Sequence, residues 1–299
     1  MGRKYFSLIL ILVLNFSLTV EAARKTAKPI KQYTPVQASL VVDGTTGKIL
    51  YAQNAKKKIY PASLTKVMTT YLLFERLKAG ELKLDTKLSI SKYATEALPS
   101  KLYITAGDKI TVRDSILALS VKSANDVARV VAENIAGSEK KFAKLMTIKA
   151  KQLGMNHTNF TNASGWHDPK QVTTAVDLAK LTIAIKRDFP QYYHFFKETS
   201  FNYKGKLVTG HNRVTATYPG AEGLKTGYHI PAGCNLITTA TRDNKSLVGV
   251  LTGRKSSAIR DRHMVQLLDK HFGITHPTIK KAKKPKHKSI RVASREEIK

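Results

Sequence analysis

Cysteine is nearly missing from this chain of 299 residues: Cys234 stands alone, so no disulfide can close within it. That excludes a small domain stapled by bridges, and no Cys/His cluster has the spacing of a zinc site. Acidic residues are scarce too. Against 51 Lys and Arg stand 21 Asp and Glu, a formal net charge of +30. A charge of that size draws polyanions through its long-range field and carries no information about fold. Long apolar runs are missing as well, since the stretch from Phe6 to Val20 falls short of the roughly 20 residues of a comfortable membrane span. There is no internal repeat, and Trp166 is the sole tryptophan.

What is there suffices for a full core, with 42% hydrophobic residues over a length that fits one large domain or two small ones. Residues 1–22 stand outside that core. Arg3 and Lys4 precede the apolar run, and small residues flank Glu21, the pattern of an export signal that is cleaved. Export without disulfides suits the periplasm or envelope of a bacterium. It also directs the positive charge toward anionic wall polymers or lipid head groups, with no nucleic acid expected. Residues 23–37 read as a flexible lead-in, residues 38–275 as the folded domain, and residues 276–299, with Lys280-Lys281-Ala282-Lys283-Lys284, as a basic disordered tail.

Within the folded part, Ala38–Val42 and Lys48–Tyr51 flank Asp43-Gly44-Thr45-Thr46-Gly47, a hairpin signal. Lys87–Ile90 predicts a short strand. Helix starts are predicted at Thr111, Ser138, Thr174 and Ser256, each ahead of an apolar-periodic run, with Gly137, Gly154 and Gly273 as C-terminal glycines. The first of these ends near Ser120. Asn156–Val172 is a polar loop; His157 and His167 in it lack the further ligands a metal would need, so neither metal nor cofactor is expected. From Thr199 the period shifts toward two, and strands follow at Glu222–Tyr228, Cys234–Thr241 and Leu247–Thr252. Cys234 then reads as a small buried hydrophobe in a strand. Strands at both ends with helices between them predict an α+β domain, an antiparallel sheet with helices segregated from it.

Three polar clusters stand out. Pro61-Ala62-Ser63 opens a helix running to Gly80, and Lys66, three residues on, lies on the same face as Ser63 with Cβ atoms about 5–6 Å apart. A hydroxyl beside an amine is a nucleophile beside its base, and a helix N-terminus favours an alkoxide and an oxyanion. Ser123 and Asn125 occupy the turn between two helices. Lys225-Thr226-Gly227 lies on a strand, where an ammonium, a hydroxyl and a bare backbone suit an extended ligand ending in a carboxylate. Each cluster alone has an ordinary explanation: a cap, a solvated lysine, a turn.

Together, in this order, on helix, turn and strand, they resemble the motifs S-x-x-K, S-x-N and K-T-G of penicillin-binding proteins. With Asn162-Ala163-Ser164-Gly165, Asn212-Arg213 and Gly223–Tyr228, the chain resembles the serine-type D-alanyl-D-alanine carboxypeptidases of low molecular mass from Ala38 to Gly273. The resemblance implies a five-stranded antiparallel sheet flanked by helices, with a mainly helical subdomain carrying the middle motif. It implies a peptidoglycan stem peptide as substrate and β-lactam antibiotics as covalent inhibitors. Ser63 attacks the penultimate D-Ala carbonyl. Lys66 takes its proton, provided that desolvation and a neighbouring cation, Lys225, hold the amine neutral. Ser123 relays a proton to the leaving amine, and Asn125 holds Lys66 and the peptide. The Ser63 and Tyr228 amides beside Gly227 form the oxyanion hole, while Arg213, Lys225 and Thr226 bind the terminal carboxylate. The alternative on the same fold is a D,D-endopeptidase that cuts cross-links. No glutamate lies between Glu139 and Glu198, which argues against a β-lactamase. Two positions depart from the family: Tyr228-His229, with His229 read as a loop residue, and Trp166, where leucine is usual. After Gly273 the sequence offers no second β-domain and no amphipathic anchor helix.

Overall fold

Asp43 begins the fold with a local turn, its Oδ1 accepting from the amides of Thr45 at 3.0 Å and Thr46 at 2.7 Å. That Asx turn joins strands β1 (Ala38–Asp43) and β2 (Ile49–Gln53). A computed structural model describes residues 34–275. The export signal at 1–22, residues 23–33 of the lead-in and the basic tail at 276–299 lie outside the described residues.

Further along are β3 (Lys87–Ser89) and β4 (Lys109–Thr111), then β5 (Ser200–Tyr203) and β6 (Lys206–Thr209). Last come β7 (Ala221–His229), β8 (Gly233–Arg242) and β9 (Lys245–Arg254). β1, β2 and β7–β9 form one antiparallel sheet in the order β2-β1-β9-β8-β7; β3 pairs with β4 and β5 with β6 in separate hairpins. The β8–β9 turn places Asp243 and Asn244 at φ +48° and +62°, values that Asn and Asp tolerate best among residues with a Cβ. β7 has a partner on one side only and is the edge of the sheet.

The helices of six residues or more are α1 (Lys66–Lys78), α2 (Val112–Leu117), α3 (Asn125–Ala136), α4 (Glu139–Gln152), α5 (Ala175–Asp188) and α6 (Ser257–Phe272). Thr111, Ser138, Thr174 and Ser256 cap α2, α4, α5 and α6, each side chain accepting from the amide three residues on. Gly137 and Gly273 close α3 and α6 in the left-handed region. α2 passes into a π-helical segment, Ala118–Lys122, so the helical path ends two residues later than the sequence predicts.

Alternation in the central strands produces two cores. Val41, Leu247 and Leu251 join Met264 and Leu268 of α6, whereas Leu40, Val42, Val248 and Val250 face the other helices. α1 is buried continuously from Lys66 to Phe74, as befits a helix enclosed on all sides. A sheet with α6 on one face and a helical half on the other is the predicted α+β layout.

Candidate active site

The Ser63 turn is clamped to the sheet before any chemistry is considered. Asn235 of β8, fully buried, donates from Nδ2 to the carbonyls of Tyr60 at 3.0 Å and Pro61 at 3.3 Å, and its Oδ1 accepts from the Gly253 amide. A Cβ at Gly227 would lie 3.0 Å from the Pro61 carbonyl and 3.1 Å from the Ser63 nitrogen, so only glycine lets the strand approach without pressing on the turn. The turn is a 3-10 segment, Ala62–Thr65, and regular α-helix begins only at Lys66. This corrects the predicted helix start at Ser63. Pro61 occupies the N-cap and no side chain caps the turn, so Ser63 is not a cap. Ala62, immediately before it, has φ +49°, a left-handed conformation that costs about 1–3 kcal/mol in a residue with a Cβ.

Lys66 has 1% of its surface exposed. Its Nζ lies 3.1 Å from Ser63 Oγ and donates to Asn125 Oδ1 and to the Ser164 carbonyl, both at 2.6 Å. Burial holds the amine's pKa well below the usual lysine range, and the nearby charge of Lys225 adds to this; Asp126 and Glu139 oppose it. A neutral amine has two hydrogens and one lone pair. The two pure acceptors take both hydrogens, and the lone pair is left for the Ser63 hydroxyl.

Each acceptor is itself fixed. Asn125 opens α3, donates from Nδ2 to the Leu98 carbonyl at 2.8 Å, and donates its amide to the Ser100 carbonyl. Ser123 closes the π-helical segment in the left-handed region at φ +63°, and the N-cap of α3 is Ala124 with no side-chain bond, so Ser123 does not cap α3. On the other side, the Ala163 carbonyl accepts from Thr69 Oγ1 at 2.6 Å, and the Ala163 amide donates to Glu139 Oε1 at 2.9 Å. Gly165, at φ +87°, presses so closely on the turn that a Cβ there would lie 1.9 Å from the Ala62 carbonyl oxygen.

β7 delivers the third motif. Thr226 faces the cleft, whereas Lys225, 2% exposed, lies beneath its wall and donates to the Thr226 carbonyl at 3.0 Å. Burial, reinforced by the charge of Arg260, pushes the Lys225 amine down to about 7. Ser63, Ser123, Asn125, Arg213, Thr226, Gly227 and Tyr228 line one cavity of about 870 Å³, with Lys66 and Lys225 under its wall. The three clusters predicted to converge therefore do so. Lys101, Lys122, Lys255 and Arg260 join Arg213 in the lining, and among the described residues no Asp or Glu does.

Several lining residues escape sequence reasoning. His211, held neutral with a pKa pushed down to about 4 by burial and by the Lys225 charge, lies outside every motif. Arg260 and Lys255 arrive from α6 and the residues before it. Cys234 is buried in β8 as predicted, yet it too borders the cavity. His229 needs a correction: it ends β7, its Nδ1 accepts from the Ala232 amide at 3.1 Å, and its ring lies 5.1 Å from that of His167 and 6.2 Å from that of Tyr60. Trp166 is half exposed at the cavity wall, its carbonyl accepting from Asn162 and Gln171.

Comparison with known proteins agrees with this geometry. The D-alanyl-D-alanine carboxypeptidase DacF of Bacillus subtilis (strain 168) is 30% identical over 97% of this chain and 78% of its own length. Among solved structures, penicillin binding protein 5 from Haemophilus influenzae is 30% identical with a TM-score of 0.77, covering 83% of this chain and 73% of that one. Penicillin-Binding Protein D2 from Listeria monocytogenes, solved in the ampicillin-bound form, is 29% identical with a TM-score of 0.70, covering 81% of this chain and 98% of that one. The sequence pattern of the D-alanyl-D-alanine carboxypeptidases matches residues 24–256, a span that includes all three converging clusters, and the chain belongs to that family of serine peptidases.

Proposed function

We propose that this enzyme removes the terminal D-alanine from peptidoglycan stem peptides ending in D-Ala-D-Ala, through an acyl-enzyme on Ser63. The observation that carries the reading is the buried Lys66 amine, held by two acceptors and directed at Ser63 Oγ. Ser63 Oγ bonds to the carbonyl carbon of the penultimate residue as its proton passes to Lys66 Nζ. The amides of Ser63 and Tyr228 stabilise the resulting oxyanion, each such donor being worth about 3–4 kcal/mol. The absence of a side chain at Gly227 keeps the Ser63 amide open to it. As the tetrahedral species collapses, the carbon–nitrogen bond breaks and the proton on Lys66 returns through Ser123 to the leaving amine. Water then attacks the ester, and Ser63 recovers its proton.

The charged side chains in the lining are cationic, which supports an anionic substrate end. Arg213 and Thr226 face the cavity and suit a terminal carboxylate, with the partly charged Lys225 behind them. A carboxylate beside the cleaved bond is what a D-Ala-D-Ala chain end presents, which supports the carboxypeptidase reading. β-lactams acylate the same serine. Because the substrate lies outside the cytoplasmic membrane, the enzyme works in the cell envelope, in keeping with the export signal.

Incubation with a stem pentapeptide and with a cross-linked dimer, read by mass spectrometry, tests the reading. Loss of one alanine from the pentapeptide supports it, and scission of the dimer alone refutes it. Covalent labelling by a fluorescent penicillin is expected for the wild type and not for Ser63→Ala.

A further inference from the structure

Glu139 is the first residue of α4, outside all three motifs, and is 8% exposed. A buried carboxylate needs partners, and this one has three from three different elements. Oε1 accepts from the Ala163 amide at 2.9 Å, Oε2 accepts from the Tyr93 hydroxyl at 2.6 Å, and Arg129 Nε of α3 lies 3.4 Å from Oε2. Of these, the Ala163 bond leads toward the chemistry. Ala163 precedes Ser164, whose carbonyl takes one hydrogen of the Lys66 amine, and Gly165, which abuts the Ala62 carbonyl. The same loop is tied to α1 by Thr69 Oγ1 on the Ala163 carbonyl. Both backbone polar groups of Ala163 are thus occupied, its carbonyl by the helix that carries the base and its amide by Glu139.

We propose that Glu139 is a positioning residue for acylation: through the Ala163 amide it sets the height of the loop whose Ser164 carbonyl aims the Lys66 amine at Ser63. This rests on the assignment of Lys66 as the base. Without the carboxylate, the Ala163 amide loses its acceptor; the ties of the loop to Thr69 and Gln171 remain, but neither holds that amide, and the amine loses its fixed direction. A misplacement of about 1 Å in such an arrangement costs on the order of 100-fold in rate. Glu139 also acts on the base through its charge. With Asp126 it opposes the effects of burial and Lys225 on the Lys66 amine, so loss of that one negative charge makes the amine harder to protonate.

The two contributions separate in an experiment. The second-order rate of labelling by a fluorescent penicillin is measured from pH 4 to 9 for wild type, Glu139→Ala and Glu139→Gln, with melting temperatures recorded alongside. Glutamine keeps an oxygen for the Ala163 amide and removes the charge. The expected result is that Glu139→Ala labels about 10- to 100-fold more slowly. Glu139→Gln recovers most of that rate, and its acid limb lies at lower pH than that of the wild type. A residue that merely supports the fold would not move the acid limb. Should Glu139→Ala fail to fold, the profile of Glu139→Gln still decides. Labelling of Glu139→Ala at the wild-type rate, or an acid limb in Glu139→Gln that coincides with the wild type, overturns the proposal. A wild-type protein that is never labelled refutes the assignment of Ser63 and Lys66 instead, so the two failures are distinct.

Discussion

Replacing Gly165 with alanine is a test of whether the loop and the nucleophile turn form one rigid unit. The new Cβ would lie 1.9 Å from the Ala62 carbonyl oxygen and 2.9 Å from the Ser63 nitrogen, where real Cβ contacts essentially never fall below 3.0 Å. About 1.1 Å must therefore be found by moving backbone against backbone, since 3.0 less 1.9 is 1.1 and no flexible side chain is there to yield. If the loop retreats, the Ser164 carbonyl leaves the Lys66 amine. If the turn retreats, Ser63 leaves it instead. Either displacement is on the scale that costs about 100-fold in rate, close to 2.7 kcal/mol of barrier. To this is added about 1–2 kcal/mol of strain for a residue with a Cβ at φ +87°. Gly80→Ala separates the two costs, because Gly80 has φ +74° and nothing within 4 Å of its added Cβ. That variant is expected to lose about 1 kcal/mol of stability and to acylate normally. The assay is the second-order rate of labelling by a fluorescent penicillin, with circular dichroism to confirm the fold. A folded Gly165→Ala protein that labels within about twofold of the wild type would refute the reasoning.

Three further outcomes are expected. Asn125→Ala removes one of the two acceptors of the buried Lys66 amine, and an unmet buried donor costs about 1–3 kcal/mol, so labelling slows by about 10- to 100-fold; the labelling rate checks it. Arg213→Ala raises KM for a stem pentapeptide about 10-fold with kcat little changed, as measured by D-alanine release, because it removes a ligand that grips substrate and transition state alike. Lys225 carries its charge below about pH 7 and loses it above, so KM for the pentapeptide rises as pH increases past neutrality; a pH series of initial rates checks the sign.

Features fixed by neighbouring residues were legible in the sequence. Thr111, Ser138, Thr174 and Ser256 betray helix starts because a cap is a bond across three residues, and Asp43 betrays the first hairpin for the same reason. The three motifs were legible because each is contiguous. What stayed hidden depends on residues far apart in the chain. Nothing in the wording of Ala163-Ser164-Gly165 says that a carbonyl there meets Lys66, a residue 98 positions away. His211 and Arg260 are ordinary residues until the segment after β6 and helix α6 turn them toward the cavity. Ser63 was assigned to a regular helix because spacing alone does not separate a 3-10 turn from the first turn of an α-helix, whereas the left-handed Ala62 does.

β7 has one neighbour in the sheet, and its other flank opens on the nucleophile. Elsewhere such a flank invites a second copy of the chain to pair and aggregate. Here the turn at Pro61–Leu64 crowds it so tightly that even the methyl of an alanine at 227 would touch backbone. The rest of that edge borders the cavity, and an unpaired strand edge is the kind of surface along which an extended peptide lies. An unpaired border that is elsewhere a liability thus faces the nucleophile, and a slender chain end lying along it meets the serine.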